Sequence, residues 1–303
     1  MIRATLFTDA ACPWAYSASP ALRVLEWRYR EQLEWHLVLI GLRDEPSPAR
    51  YDAARAVRRY SVFRDRYGMP FSLTPKERGA ATGRGCRAVV AARLLQPGSE
   101  WHVLRALQLA NFTTTLLLDD DERIRAALAR VPRIDADALV ARLDDDEVTR
   151  AYEADRAEAR RAAGTAAEAQ GKTSTSDGPV RFTAPSVVFE LDGRRLVAGG
   201  WQPLLAYDVL VANLDPTLRR TPPPESPEPL LDFFPDGLTT AEVAALLAEG
   251  PDYVADLRSA EHALVPLLAN GRAERVACGQ DAVWRRVSTR EASEAKPSAV
   301  ATV

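Results

Sequence analysis

The stretch Asp9-Ala10-Ala11-Cys12-Pro13-Trp14-Ala15-Tyr16 decides how this chain reads. Before it, residues 2–7 (IRATLF) form a short apolar run ending at a polar break, the pattern of a buried strand. After it, residues 14–31 place Tyr16, Leu22, Val24, Leu25 and Trp27 on one broad helical face. Pro20 lies inside that run and predicts a kink. Residues 34–41 are apolar and β-branched enough for a second buried strand. Strand, helix and strand in about 40 residues make a βαβ unit with parallel strands and a right-handed crossover. Cys12 therefore stands where a strand ends and a helix begins. Free backbone N–H groups and the helix dipole favour a thiolate there. Pro13 suits the first helical turn, where a missing N–H costs nothing. This mouth of an α/β sheet is also where ligands usually bind.

From 47 to 169 the pattern is helical almost throughout, with segments at 51–67, 86–95, 100–115, 119–130 and 135–163. The aspartate runs 119–121 and 144–146 flank helix ends, where the dipole favours negative charge. Residues 164–177 read as a polar loop. Strands are expected at 180–189 and 195–197, joined through Asp192-Gly193, a strong hairpin signal. A closing helix is expected over 201–214.

These features resemble the DsbA family of the thioredoxin superfamily. The D-x-x-C-P-W-x-Y stretch is similar to that family's active-site turn, above all in the cytosolic FrnE-like branch, which usually reads Cys-Pro-Trp-Cys. That branch groups with hydroxychromene-carboxylate isomerases and kappa-class glutathione transferases. The long helical insertion, the strand carrying Thr183-Ala184-Pro185-Ser186, the hairpin and the final helix follow in the same order. The resemblance covers about residues 1–214. It implies an α/β thioredoxin-like fold with a long all-helical insertion, and it makes Pro185 a cis proline. The Ala184 backbone would then lie beside the Cys12 sulfur and pair with an extended substrate or thiol peptide. Trp14 would border the sulfur. Thr183 and Gln202, the latter near the Gly199-Gly200 turn, complete the implied thiol or substrate site.

One departure bears on mechanism. Where the family has its second cysteine, this chain has Ala15. A dithiol oxidase resolves its mixed disulfide with that second thiol. Two routes remain: Cys86 approaches Cys12 and acts as a distant resolving thiol, or a small thiol such as glutathione or mycothiol attacks the mixed disulfide. The expected activity is thiol-dependent oxidoreduction through Cys12 on a small-molecule or disulfide substrate. The alternatives are an isomerase of the 2-hydroxychromene-2-carboxylate type and a non-catalytic redox-sensing or interaction protein.

The 216–236 stretch, with Thr221-Pro222-Pro223-Pro224, reads as an extended linker closing a first domain at 1–215. Beyond it, Thr239 with Glu242 three residues later forms a capping box. A second helix at 260–268 ends at Asn270-Gly271, and strands are expected at 274–277 and 282–287. Helix, helix, strand, hairpin, strand resembles a winged helix-turn-helix, giving a small winged-helix-like domain at 237–288 and a low-complexity tail at 289–303. From 238 to 287, however, five arginines face seven acids, and the second helix offers Glu261 and His262 where Arg, Lys or Asn would read a base. An interaction or homodimer module is expected over a nucleic-acid reader.

The composition of the 303 residues agrees. A net charge of −3 gives no bulk attraction to nucleic acid or an anionic membrane. Three scattered cysteines make neither a disulfide framework nor a zinc site. No apolar run spans a membrane, and the first residues are too short for a signal-peptide core, so a cytoplasmic protein is expected. His36 and His102 stand alone, and no P-loop, GxGxxG or Ser/His/Asp arrangement is present.

Overall fold

A computed structural model describes residues 1–46, 51–129, 131–176, 178–250 and 254–287. The start of the expected insertion, at 47, and the expected tail lie outside the described residues. Strand β1 (Ile2–Thr8) leads through the Cys12 turn into α1 (Pro13–Ser17) and α2 (Ser19–Tyr29), then β2 (Leu33–Leu39). The expected single helix is thus two. They meet at Ala18, and Pro20 sits in the first turn of α2. A proline ring clashes with the carbonyl four residues back and lacks an N–H, so the chain restarts the helix rather than bending it.

Strands β1 and β2 pair in parallel from Ile2 with Leu33 to Thr8 with Leu39. β5 (Ser186–Leu191) pairs antiparallel with β1, and β6 (Arg194–Ala198) continues the sheet in the order β2-β1-β5-β6. The β5–β6 turn is Asp192-Gly193, with both residues at positive φ. Helix α10 (Leu204–Leu214) closes this unit.

Between β2 and β5 run α3 (Ala53–Tyr67), α4 (Gly83–Leu95), α5 (Glu100–Thr113), α6 (Asp121–Leu128), α7 (Ala136–Ala141), α8 (Asp146–Ala159), the single turn α9 (Ala166–Ala169) and the short strands β3 (Thr173–Ser174) and β4 (Arg181–Phe182). The aspartates do start helices: Asp120 accepts from Arg123 N at 3.1 Å, and Asp145 precedes α8. That second start divides the expected 135–163 helix. The expected 180–189 strand is likewise divided, because Pro185 has no N–H to give a sheet. α4 lies against α5 and α8, and its buried Val89, Val90 and Ala91 join Leu6, Leu37 and Phe189 in the largest core.

The C-terminal part holds α11 (Glu228–Phe233), β7 (Leu238–Thr239), α12 (Thr240–Leu247), α13 (Leu257–Ala269), β8 (Ala273–Cys278) and β9 (Asp281–Arg286), with sheet order β7-β9-β8. The Thr239/Glu242 capping box is present, with both hydrogen bonds made. The expected linker is not a free one. Trp27 Nε1 donates to Pro222 O at 2.8 Å, Thr221 N donates to Arg28 O at 2.9 Å, and α11 forms inside the stretch. Its Leu230 and Leu231 join Val24 and Trp27 of α2 in one core with Val243, Leu264 and Trp284. Thr221 and Pro222 hold the chain against α2, and two adjacent leucines then bury apolar surface beside it.

Candidate active site

Cys12 is the N-cap of α1, with Pro13 in the first turn. Its side chain is 5% exposed, and Sγ donates to Ala184 O at 3.2 Å. The Ala184–Pro185 peptide bond is cis. Thr183 and Ala184 border the same cleft as Cys12, Pro13 and Trp14, an open space of about 570 Å³. Thr183 is held there by donating to Lys172 O at 2.9 Å.

The thiolate expectation needs correcting for this state. The α1 backbone at Ala15 and Trp14 and the charge of Arg59 do favour the anion. Burial opposes them and is stronger, and Asp9 adds to it, so the Cys12 thiol is pushed up to about 12. A helix N-terminus lowers a thiol's pKa while the sulfur stays partly wet; here the Ala184 loop covers it.

Pro185 follows the carbonyl that meets the sulfur, as expected of a cis proline, and also borders a neighbouring groove with Ala15, Trp101 and Gln108. One other expectation changes. Gln202 folds back on its own turn, donating to Gly199 O at 2.8 Å, and does not line the cleft. Trp14 does border it, 37% exposed and edge-on to Phe63 and Tyr67 of α3 at ring distances of 4.8 and 5.8 Å.

Cys86 is fully buried one turn into α4, where burial again raises its thiol. Its sulfur is 3.5 Å from Asp9 Oδ2, and both cysteines are free. It belongs to the main core, whereas Cys12 packs with Phe7, Phe182 and Ala184 in a separate one. The contact of the Cys86 sulfur is with Asp9.

Asp9 is the site residue that the sequence reading passed over. It is fully buried and accepts from Ala11 N (2.8 Å), Leu42 N (2.8 Å) and Thr82 Oγ1 (2.9 Å). These bonds tie the end of β1, the loop after β2 and the start of α4 together under the Cys12 turn. Its position three residues before the cysteine was the available signal. The rest of the cleft comes from the insertion and its flanks: Arg43, Arg55, Arg59, Tyr60, Lys76 and Arg78. Nothing in the local sequence marked these. His102 pairs with Asp236, linking α5 to the C-terminal part, and lies away from the cleft. Among the described residues no cluster of three or more His, Cys, Asp or Glu could hold a metal, and no helix is long and apolar enough to cross a membrane.

Residues 4–165 match the family model of the DSBA-like thioredoxin domain, so this chain belongs to that family. Solved structures agree in fold. A candidate protein disulfide isomerase of Nitrosomonas europaea is 17% identical with a TM-score of 0.55, covering 70% of this chain and 96% of its own. A protein of Streptomyces coelicolor assigned as a DsbA oxidoreductase is 18% identical, with a TM-score of 0.53 and coverages of 73% and 92%. The cytosolic disulfide reductase DsbM of Pseudomonas aeruginosa is 19% identical, with a TM-score of 0.50 and coverages of 71% and 98%. At these identities the likeness is one of fold. No curated protein matches the chain.

Proposed function

We propose that this protein exchanges thiols and disulfides through Cys12 alone, with a small external thiol completing the cycle. The observation that carries the reading is the position of Cys12 Sγ: at the start of α1, 3.2 Å from Ala184 O, on the wall of an open cleft. The Cys12 thiolate attacks one sulfur of a disulfide RSSR. The S–S bond breaks, RS⁻ leaves, and Cys12–S–S–R forms. The thiolate of a second small thiol attacks the R sulfur, giving a new mixed disulfide and restoring the Cys12 thiolate. One disulfide enters and one leaves, so no other oxidant or reductant is needed. Glutathione and mycothiol are the thiols we propose for this role. The buried position of Cys86 against Asp9 supports a cycle that does not use it.

The covered sulfur sets the proton step. The thiol form of Cys12 is held by its bond to Ala184 O. A substrate N–H that takes this carbonyl removes the thiol's acceptor and favours ionisation when substrate is in place. The likeness to a cytosolic disulfide reductase, DsbM, supports a reductive direction and a cytoplasmic setting.

The raised Cys12 thiol also favours one second reading, in which Cys12 stays protonated and orients an external thiol, as in a thiol-dependent isomerase. A turnover assay separates the two. With bis(2-hydroxyethyl) disulfide and glutathione or mycothiol, the full chain accelerates exchange and Cys12→Ser lowers the rate to background. Activity retained by Cys12→Ser contradicts the exchange reading.

We further propose that the C-terminal part is a winged-helix-like module that meets protein, as a homodimer or with another partner, rather than nucleic acid. α13 exposes Leu257, Val265 and Leu268, and Arg272 and Arg286 are both engaged with Glu228.

A further inference from the structure

The charges around the Cys12 cleft are lopsided. Among the described residues, Arg43, Arg55, Arg59, Lys76, Arg78 and Arg181 line it against a single acid, Asp52. Several of these are already engaged. Asp52 caps α3 by accepting from Arg55 N at 2.9 Å. Arg78 forks onto Asp119 at 2.6 and 2.9 Å. Arg181 donates to Phe182 O and Ser176 Oγ, and Lys76 donates to Leu116 O. Arg43, Arg55 and Arg59 are exposed and make no ion pair among the described residues.

Elsewhere some arginines are paired more heavily, although others, such as Arg3, Arg58 and Arg66, also make no ion pair among the described residues. Arg84, Arg125, Arg142 and Arg156 each hold two carboxylates. In a chain whose net charge is −3, acids are available to neutralise arginines. Three guanidinium groups left open at one mouth focus a positive field on it. Arg55 and Arg59 lie one turn apart on α3, so their side chains leave the same face about 6 Å apart. Arg59 stacks over Phe63, which also carries Trp14, and its charge reaches the Cys12 sulfur. Arg43 is anchored by its backbone, accepting from Thr82 N at 2.7 Å and Gly83 N at 3.1 Å. The planar fork of arginine matches a carboxylate in two parallel bonds.

We propose that the Cys12 cleft selects disulfides bearing a carboxylate on each half, with Arg43, Arg55 and Arg59 as the groups that hold them. This rests on Cys12 being the exchanging thiol and names the class of substrate that reaches it. The leaving RS⁻ carries its own carboxylate, so the same field retains the first product until the second thiol enters.

The test compares two chromogenic disulfides on the full chain at low salt. 5,5′-Dithiobis(2-nitrobenzoate) carries two carboxylates; 2,2′-dithiodipyridine carries no charge. Each rate of Cys12 modification, located by peptide mass mapping, is divided by the reagent's rate with free cysteine. The ratio of the two normalised rates is the readout, because any change in the Cys12 thiol itself cancels. The expected ratio is roughly tenfold or more in favour of the dicarboxylate. It falls toward one in 0.5 M salt, where screening reaches only a few Å (~4 Å), and in the Arg55→Gln/Arg59→Gln variant. A ratio near one in the unaltered chain, or one unchanged in the variant, overturns the proposal. Protection of Cys12 by inorganic phosphate but not by succinate overturns the carboxylate class. If neither reagent modifies Cys12, the exchange reading itself fails, a different result from loss of preference.

Discussion

At the scale of single residues, Cys12 is set between opposing influences. Its place at the start of α1 favours the anion, and its cover by the Ala184 loop favours the thiol. Burial dominates, and the thiol is held up to about 12. In the free protein the fraction of thiolate therefore still rises with pH well past neutrality, and so does reactivity. Alkylation of Cys12 by iodoacetamide is expected to accelerate about tenfold for each pH unit from 7 to 9, without levelling, because the thiolate fraction is proportional to 1/[H⁺] below the pKa. A plateau by pH 7 would show a thiolate already formed, and the covered sulfur would be the wrong resting state. Asp9 contributes from below: it helps keep the thiol protonated and, through Ala11, Leu42 and Thr82, fixes the turn that presents it.

At the scale of elements, local pattern was a good guide wherever the physics was local. β1, β2, the Asp192-Gly193 hairpin and the Thr239/Glu242 capping box each rest on a few adjacent residues, and each forms as read. Errors arose where one residue stops an otherwise continuous pattern. Ala18 and Pro20 divide the first helix, Pro185 divides the strand that carries it, and the aspartates at 144–146 start a helix inside a longer helical run. The motif turn and the Thr-Ala-Pro loop were legible as a site, and the structure brings Cys12 against Ala184. The basic side of the cleft was not legible. Arg43 precedes the insertion, Arg55 and Arg59 lie on α3, and Arg78 lies between α3 and α4. Only folding makes neighbours of them, and in an arginine-rich chain no single one stands out.

At the scale of the whole molecule, the C-terminal part is joined to the thioredoxin-like unit by more than chain continuity. Glu242, fully buried in α12, receives both arms of Arg105 from α5 at 2.7 and 2.8 Å and the hydroxyl of Ser19 from α2. Arg105 also donates to Gly237 O at 2.6 Å. Arg105 and Ser19 hold the Glu242 carboxyl down to about 2, from an ordinary 4.5, although burial alone would raise it. A depressed carboxyl stabilises the fold above its unfolded value, so this contribution is complete above pH 4.5 and is lost as pH falls from there toward 2. Glu242→Gln leaves Arg105 buried without its counter-charge and is expected to cost about 3–5 kcal/mol in urea unfolding at pH 7. The loss should shrink at pH 3, where the unaltered protein has begun to lose the same interaction. An effect below about 1 kcal/mol at pH 7, the size of an exposed pair, would mean the junction is not held this way.

The central claim is that Cys12 is the thiol that exchanges. The most direct measurement is to incubate the full chain with a stoichiometric disulfide at pH 8.5, quench with acid, and locate the adduct by intact mass and peptide mapping. The account predicts one adduct per chain, on Cys12, released by added glutathione or mycothiol, with Cys86 and Cys278, neither of which lines the cleft, unmodified. An adduct on Cys86 or Cys278 with Cys12 left free, or none on the folded protein, would contradict it.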